Sequence, residues 1–589
     1  MRIAIRAFAV LGVAATAAAA RAADLGPLPV AVETAVKVPM RDGVTLSADV
    51  YRPAGEGKFP VLLQRTPYDR RDPKTGLKLA SNGYVVVLQD TRGRFDSGGE
   101  FYPFRNESAD GYDTVEWAAA LPYADGKVGM FGGSYVGATQ MLAAMAKPPH
   151  LVAIQPYVTA SEYYEGWTYQ GGALMQWFTS SWATGLAEDT LQRSAAARAA
   201  PPAWVETLPV GSYRLLDPPP VSELAPYYRD WLAHESADDY WRAVRVKDRY
   251  GDMTVKALHQ AGWHDIFSRG SIENYIGMRA SAATPEARAG QRLLVGPWGH
   301  TATLPEGQVG DVKFGDAVLL DGDAVLLKWA DWALKGVANE YATGAPVRIF
   351  VMGENVWRDE QEFPLARARS TRYYLRSAKG ANSVAGDGRL ATDPPRKERP
   401  DRFQYDPANP VRTLGGRLCC GSVQPPYHPG PYDQRPNESR PDVLVYSTGP
   451  LAKEIEVTGF ITAEVWAASS AVDTDFTAML VDVDPSGYAR YLADGILRAR
   501  YRSSRERAEP LSPGRIEKYE IDLGATANVF KAGHQLRLYV SSSNFPRFDR
   551  NLNTGEPLAT GTRVMKAEQV VYHDADHPSA LVLPVIPRP

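Results

Sequence analysis

A serine hydroxyl attacks a carbonyl only when a base takes its proton and the backbone holds it clear of its neighbours. The segment Gly132-Gly133-Ser134-Tyr135-Val136-Gly137 has the makings of the second condition. It follows a short apolar run, Val128-Gly129-Met130-Phe131, and leads into the helix-forming stretch Ala138 to Ala146. Strand, sharp turn, helix, with small residues around the serine, is the setting of a nucleophile elbow, usually spaced G-x-S-x-G. Here the closing glycine, Gly137, comes one residue late. Taken alone, the segment also fits a Gly-rich strand–helix turn.

The base and its orienting acid should follow on loops after later strands, in the chain order nucleophile, acid, base. The strand-like Val255-Lys256-Ala257-Leu258-His259 leads to Ala261-Gly262-Trp263-His264-Asp265. The next, Gln291 to Gly296, leads to Pro297-Trp298-Gly299-His300. His300 is expected as general base and then acid, with Asp265 fixing its tautomer and stabilising the imidazolium. His264 rivals it but precedes the acid directly and reads as a residue lining or supporting the site. His150, His234, His259 and the four histidines beyond His300 lack this setting and read as structural.

The elements around these residues point to an α/β chain. From Thr34 to about Ala146 short apolar runs alternate with helical spacing, as in a doubly wound sheet, and Leu46 to Tyr51 alternates like a half-exposed strand. Residues 161–247 are aromatic and Ala-rich and read as a helical cap, inserted between a first α/β-hydrolase part at 23–160 and a second at 248–365. Beyond this, in 366–589, β-rich runs separated by turns predict a jelly-roll β-sandwich.

Several strings are similar to one known family: Gln64-Arg65-Thr66-Pro67-Tyr68-Asp69, Gln89-Asp90-Thr91-Arg92-Gly93, Asp125 to Met130 running into Ser134, Gly262-Trp263-His264-Asp265 and Gly296-Pro297-Trp298-Gly299-His300. In the last domain Asp473-Thr474-Asp475-Phe476 and Ser541 to Arg547 add to them. The chain resembles the cocaine esterase and X-Pro dipeptidyl-peptidase family, which also holds glutaryl-cephalosporin acylases and α-amino acid ester hydrolases. The resemblance implies an α/β-hydrolase domain with helical cap and C-terminal jelly roll, and it makes the late glycine the family's own form. It also implies an oxyanion hole made by the Tyr68 hydroxyl and the backbone N–H of Tyr135, with Asp90 and Arg92 bracing their loop.

The expected reaction is cleavage of a small-molecule ester or amide through an acyl-enzyme, with no cofactor and no metal. Trp167, Trp177, Trp263, His264, Phe267 and Trp298 are candidates for the substrate pocket, which favours apolar or aromatic acyl groups. X-Pro dipeptidyl-peptidase or α-amino acid ester hydrolase activity is the alternative, for which Glu162 and Glu165 could supply carboxylates. A non-catalytic carbohydrate-binding protein is a more distant one. The string His573-Asp574-Ala575-Asp576-His577 looks ligand-rich but reads as a polar turn before a terminal strand.

Lys plus Arg number 65 and Asp plus Glu 68, a net charge of −3 that makes no electrostatic case for nucleic acid. Arg2 and Arg6, the apolar run Ala7 to Ala20 and Ala20-Arg21-Ala22 have the layout of a signal peptide over residues 1–22. A mature chain beginning near Ala23 would work in the periplasm or be secreted, with no membrane span, since no later run reaches the ~20 apolar residues required. Cys419 and Cys420, the two cysteines, could close as a vicinal disulfide or remain as thiols. Homo-oligomerisation is left open by the sequence.

Overall fold

Val85-Val86-Val87-Leu88 and its neighbours have no polar face, and the structure buries every residue of their strand. The computed structural model describes residues 26–190, 208–212, 225–300, 305–420 and 427–588. The expected signal peptide at 1–22 lies outside them. The chain divides into two compact units: Met1–Gln155 with Thr254–Lys256 and Asp321–Ala342, and Pro156–Met253 with Ala257–Leu320 and Thr343–Pro589.

In the first unit, strands β1 (Val30–Pro39), β2 (Thr45–Pro53), β3 (Phe59–Thr66), β4 (Val85–Asp90), β5 (Ala124–Gly133) and β6 (Leu151–Tyr157) lie in the order β1-β2-β4-β3-β5-β6. β3 pairs in parallel with β4 and β5, while β2 runs antiparallel to β1 and β4. Helices α1 (Pro73–Ser81), α2 (Glu107–Ala119) and α3 (Tyr135–Met145) supply the crossovers. Each begins where its chemistry allows. Asp72 caps α1 by accepting from the Thr75 N–H, with Pro73 behind it, and α2 opens with Glu107 and Asp110 in its first turn. Every residue of α3 is buried, as befits a helix that is apolar but for Thr139 and Gln140.

β2 corrects one expectation. Its alternating polar residues do not face water: Ser47 and Asp49 are buried. The Ser47 N–H donates to Ser97 Oγ (2.9 Å), and Asp49 accepts from Arg70 (3.1 Å) and the Ala35 N–H (2.9 Å). Asp49, a buried polar side chain with partners, mimics the alternation of a wet face.

The second unit contains helix α4 (Gln176–Thr190), strand β7 (Lys256–Gly262), helix α5 (Ser268–Ser281) and strands β8 (Gln291–Gly296), β9 (Val347–Val351) and β10 (Val356–Glu360). β7, β8 and β9 are parallel neighbours, and β10 closes the row antiparallel. The region read as a helical cap also holds a two-strand hairpin, Tyr169–Gln170 with Ala173–Leu174. Beyond Arg369 an eleven-strand sheet is built around the antiparallel pair Ile455–Ser469 and Glu517–Phe530. Asp475, from the Asp473-Thr474-Asp475-Phe476 string, is buried with Arg498 at 2.9 Å, and Arg498 also holds Asp549 at 2.7 Å. Asp549 in turn accepts the Leu174 N–H at 2.7 Å, tying the hairpin to the β-rich region. No helix among the described residues is long and apolar enough to cross a membrane.

Candidate active site

Ser134 stands between β5 and α3 with φ 61° and ψ −126°, a conformation that costs a non-glycine residue about 1–3 kcal/mol. Its neighbours enforce it. Gly132 has φ 125°, and a Cβ there would come within 2.3 Å of Val136 Cγ1. Gln140 donates from Nε2 to the Gly132 carbonyl (2.8 Å) and accepts the Gln155 N–H (2.9 Å), pinning the turn from below. The Ser134 carbonyl takes the Gly137 and Ala138 N–H groups at 2.9 and 3.0 Å, so the helix begins at the serine.

Tyr135 is the first residue of α3, and its ring turns away into the interior. Its hydroxyl accepts the Phe104 N–H and donates to Glu107 Oε1, both at 2.9 Å. Burial pushes the Glu107 carboxyl up from its ordinary value, against the pull of Arg65 at 2.7 Å. Arg65, Glu107 and Tyr135 thus form a buried polar network beside the serine turn, which Gln140 holds separately through Gly132.

Tyr68 sits on the turn after β3 and is 40% exposed. The turn is braced on both sides. Arg94 Nε donates to the Pro67 carbonyl at 2.8 Å, and the buried Arg70 binds Asp49, Asp90 and Asp96. Asp90 therefore braces its loop through Arg70, while Arg92 does so through Asp110 at 2.6 Å and Asp42 at 2.8 Å.

In the second unit the loops after β7 and β8 are zipped together. Trp263 N–H donates to Gly296 O and His264 N–H to Trp298 O, both at 2.9 Å. Gly262 permits this approach, since a Cβ would lie 2.2 Å from the Trp298 carbonyl. The zipper brings His300 Nδ1 to 2.7 Å from Asp265 Oδ1. Asp265 is fully buried and the His300 side chain only 9% exposed.

An aromatic wall rises beside His300. Phe267 meets its ring edge-on at 5.2 Å, and Trp167 stacks on Phe267 at 4.5 Å. Phe178 and Trp182 pack edge-on against Trp167. Trp177 donates its indole N–H to the Cys420 carbonyl (2.8 Å) and stacks on Tyr427. The sulfurs of Cys419 and Cys420 are bonded to each other, and both lie within 4.8 Å of a His300 ring nitrogen.

Three expected pocket residues do not join this wall. Trp263 is fully buried in the core, its indole N–H spent on the Phe350 carbonyl at 2.8 Å. His264 is likewise fully buried, with its ring between Phe314 and Tyr491. Burial, with Arg417 and Arg490 nearby, holds its pKa well below the ordinary 6.5, so it stays neutral. Trp298 gives its indole N–H to Val318 O (2.9 Å) and packs on Trp357. The small residues that zip the two loops leave the flanking rings facing inward. His573, from the ligand-rich string, is buried with its Nε2 3.0 Å from Asp401.

With this geometry in hand, comparison with known proteins is specific. The family model described as X-Pro dipeptidyl-peptidase (S15 family) matches residues 42–302, and that of the X-Pro dipeptidyl-peptidase C-terminal non-catalytic domain matches 339–582. The chain is 38% identical to a cocaine esterase of Rhodococcus sp. (strain MB1 Bresler), covering 95% of this chain and 99% of that one. Among solved structures, an aminopeptidase from a marine sediment Thaumarchaeota archaeon is 26% identical with a TM-score of 0.81, covering 96% and 97% of the two chains. An α-amino acid ester hydrolase is 26% identical with a TM-score of 0.80, covering 94% and 96%. An α/β-hydrolase domain followed by a β-rich domain is the fold they share with it. The chain belongs to the X-Pro dipeptidyl-peptidase (S15) family and is a serine hydrolase.

Proposed function

We propose that Ser134, His300 and Asp265 form a catalytic triad that hydrolyses esters or amides with an apolar or aromatic acyl group. Ser134 Oγ attacks the carbonyl carbon while His300 takes the hydroxyl proton, and Asp265 stabilises the imidazolium. The tetrahedral oxyanion accepts hydrogen bonds from the Tyr68 hydroxyl and the Tyr135 N–H. Collapse breaks the bond to the alcohol or amine, to which His300 returns the proton. Water, deprotonated by the same histidine, then releases the acid. The 2.7 Å Asp265–His300 bond, set on the zipped loops, is the observation that carries this reading.

The acyl preference rests on the wall of Phe267 and Trp167 and on where the nearby carboxylates go. Glu162 is tied to Lys247 and to Arg245 (3.1 Å), and Glu165 accepts the Gly171 N–H (2.9 Å). Each already serves a cation or a backbone donor, so a free α-amino group finds no unused carboxylate in this pair. Parallel assays with aryl esters, β-lactam side-chain amides and Xaa-Pro anilides test this. Turnover led by aryl esters is expected, and dominance of the Xaa-Pro anilides would overturn the acyl preference.

The mature enzyme works outside the cytoplasm, in the periplasm or secreted, as the layout of residues 1–22 suggests. Amino-terminal sequencing of the native protein should begin near Ala23. Recovery of the intact Met1 terminus from the cytosol would overturn this.

A further inference from the structure

The vicinal cysteines have no place in the hydrolytic steps, yet their sulfurs lie within 4.8 Å of a His300 ring nitrogen. Three features prepare this corner to hold an ion. First, Asp265 binds His300 at Nδ1 and supplies the carboxylate–histidine arrangement that orients metal-bound imidazoles, so that in the proposed complex Nε2 is the nitrogen the ion takes. Second, the cysteine backbone is held in place. The Cys420 carbonyl accepts from the Trp177 indole (2.8 Å) and Ser181 Oγ (3.2 Å). Third, the segment is tied to the acid's own loop. Arg417, buried two residues before Cys419, donates to the carbonyls of Trp263 (3.2 Å), Leu523 and Ala525 (2.8 Å).

We propose that, once a dithiol reduces the pair, Cys419, Cys420 and His300 bind one soft or borderline divalent ion such as Zn²⁺ or Cd²⁺, and that this ion switches hydrolysis off. The chemistry balances. The dithiol gives up two electrons and two protons and becomes its own disulfide, while the S–S bond breaks into two thiols. Binding as thiolates then releases two protons, and neutral His300 donates its nitrogen lone pair. Tetrahedral Zn²⁺ has Zn–S near ~2.3 Å and Zn–N near ~2.0 Å, so its donors stand roughly 3.5–3.8 Å apart. The sulfurs must part and the imidazole close in by about an ångström from their 4.8 Å envelope, with water as the fourth ligand. Such an ion occupies the nitrogen that would carry the proton. The inhibitory half rests on the proposed role of His300, whereas the binding half does not.

The test uses the full mature protein, reduced or left oxidised, desalted and titrated anaerobically with Cd²⁺ or Zn²⁺. Thiolate-to-Cd²⁺ charge-transfer absorption and elemental analysis read binding, and aryl-ester hydrolysis reads inhibition. Reduced protein should retain one ion per chain and lose ~90% or more of its rate, recovering with EDTA; oxidised protein should do neither. The Cys419→Ser/Cys420→Ser variant should bind nothing and keep its own rate, whatever its level, on adding reductant and metal. His300→Ala should weaken Cd²⁺ binding ~10-fold or more, as loss of one of three donors requires. Should the double variant not fold, protection of Cys419 and Cys420 in the reduced wild type from alkylation by Cd²⁺, mapped by mass spectrometry, gives the same answer. No ion after reduction, or equal uptake by the oxidised form, overturns the proposal. Binding that depends on both cysteines and His300 but leaves hydrolysis intact overturns the inhibitory half and the reading of His300 as base, not the metal site.

Discussion

The Tyr135 hydroxyl donates to the buried Glu107 carboxylate at 2.9 Å while accepting the Phe104 N–H at the same distance. This places the ring of the residue after Ser134 in a fully bonded polar socket, so the first turn of α3 cannot rotate. Tyr135→Phe leaves the Phe104 N–H without that acceptor and is expected to cost ~1–3 kcal/mol, read from denaturant midpoints. An unchanged midpoint would show that the socket does not anchor the turn.

The backbone of Ser134 yields a stability prediction that activity alone cannot make. Ser134→Ala should lower kcat ~10⁶-fold. Ser134→Gly should be as inactive yet more stable than Ser134→Ala by ~1–2 kcal/mol, because glycine tolerates φ 61°. Thermal melts of the two variants check this, and equal melting points would mean the turn stores no strain.

Tyr68→Phe removes one expected oxyanion donor and keeps the ring. It should lower kcat ~10²–10³-fold with KM little changed. A change confined to KM would reassign Tyr68 to substrate binding.

Phe267 touches both His300 and Trp167, so Phe267→Leu keeps apolar bulk but breaks the stack. For benzoyl esters kcat/KM should fall ~3–10-fold relative to acetyl esters. Equal losses for both would mean that the wall positions His300 and does not select the acyl group.

His264 links the site to pH. The folded protein holds this imidazole neutral well below its ordinary 6.5, whereas the unfolded chain takes up a proton near that value. Its share of stability is therefore fully present above 6.5 and is lost as pH falls from there toward the depressed folded value. Denaturant titrations across that range should show a shallower acid-side loss for His264→Leu than for wild type. Identical slopes would assign the acid sensitivity to other groups.

Much of the framework was readable because its signals are local. β4 and β8 are short apolar runs ending in Asp and Gly, and the structure forms β8 over the expected Gln291–Gly296. β1 was missed; its Val30–Pro39 stretch is largely exposed and mixes charge with apolar residues. Glu107 and Gln140 were missed because a carboxylate in a first helical turn and an amide in an apolar helix look ordinary in sequence. Only their buried partners, Tyr135 and Gly132, give them a task. Trp167, Trp177 and Phe267 were expected near a site, but so were Trp263 and Trp298, and aromatic composition cannot tell a wall from a core.

The sequence by itself determined the α/β-hydrolase class, the strand–turn–helix around Ser134 and the loop positions of Asp265 and His300. Periodicity, turn chemistry and chain order are properties of neighbouring residues. Tertiary structure alone decided which rings face His300, that His264 is sealed in neutral, and that Cys419 and Cys420 lie against the histidine. Those depend on segments far apart in the chain being packed together, as when Gly262 lets the Trp298 carbonyl approach where no Cβ could fit.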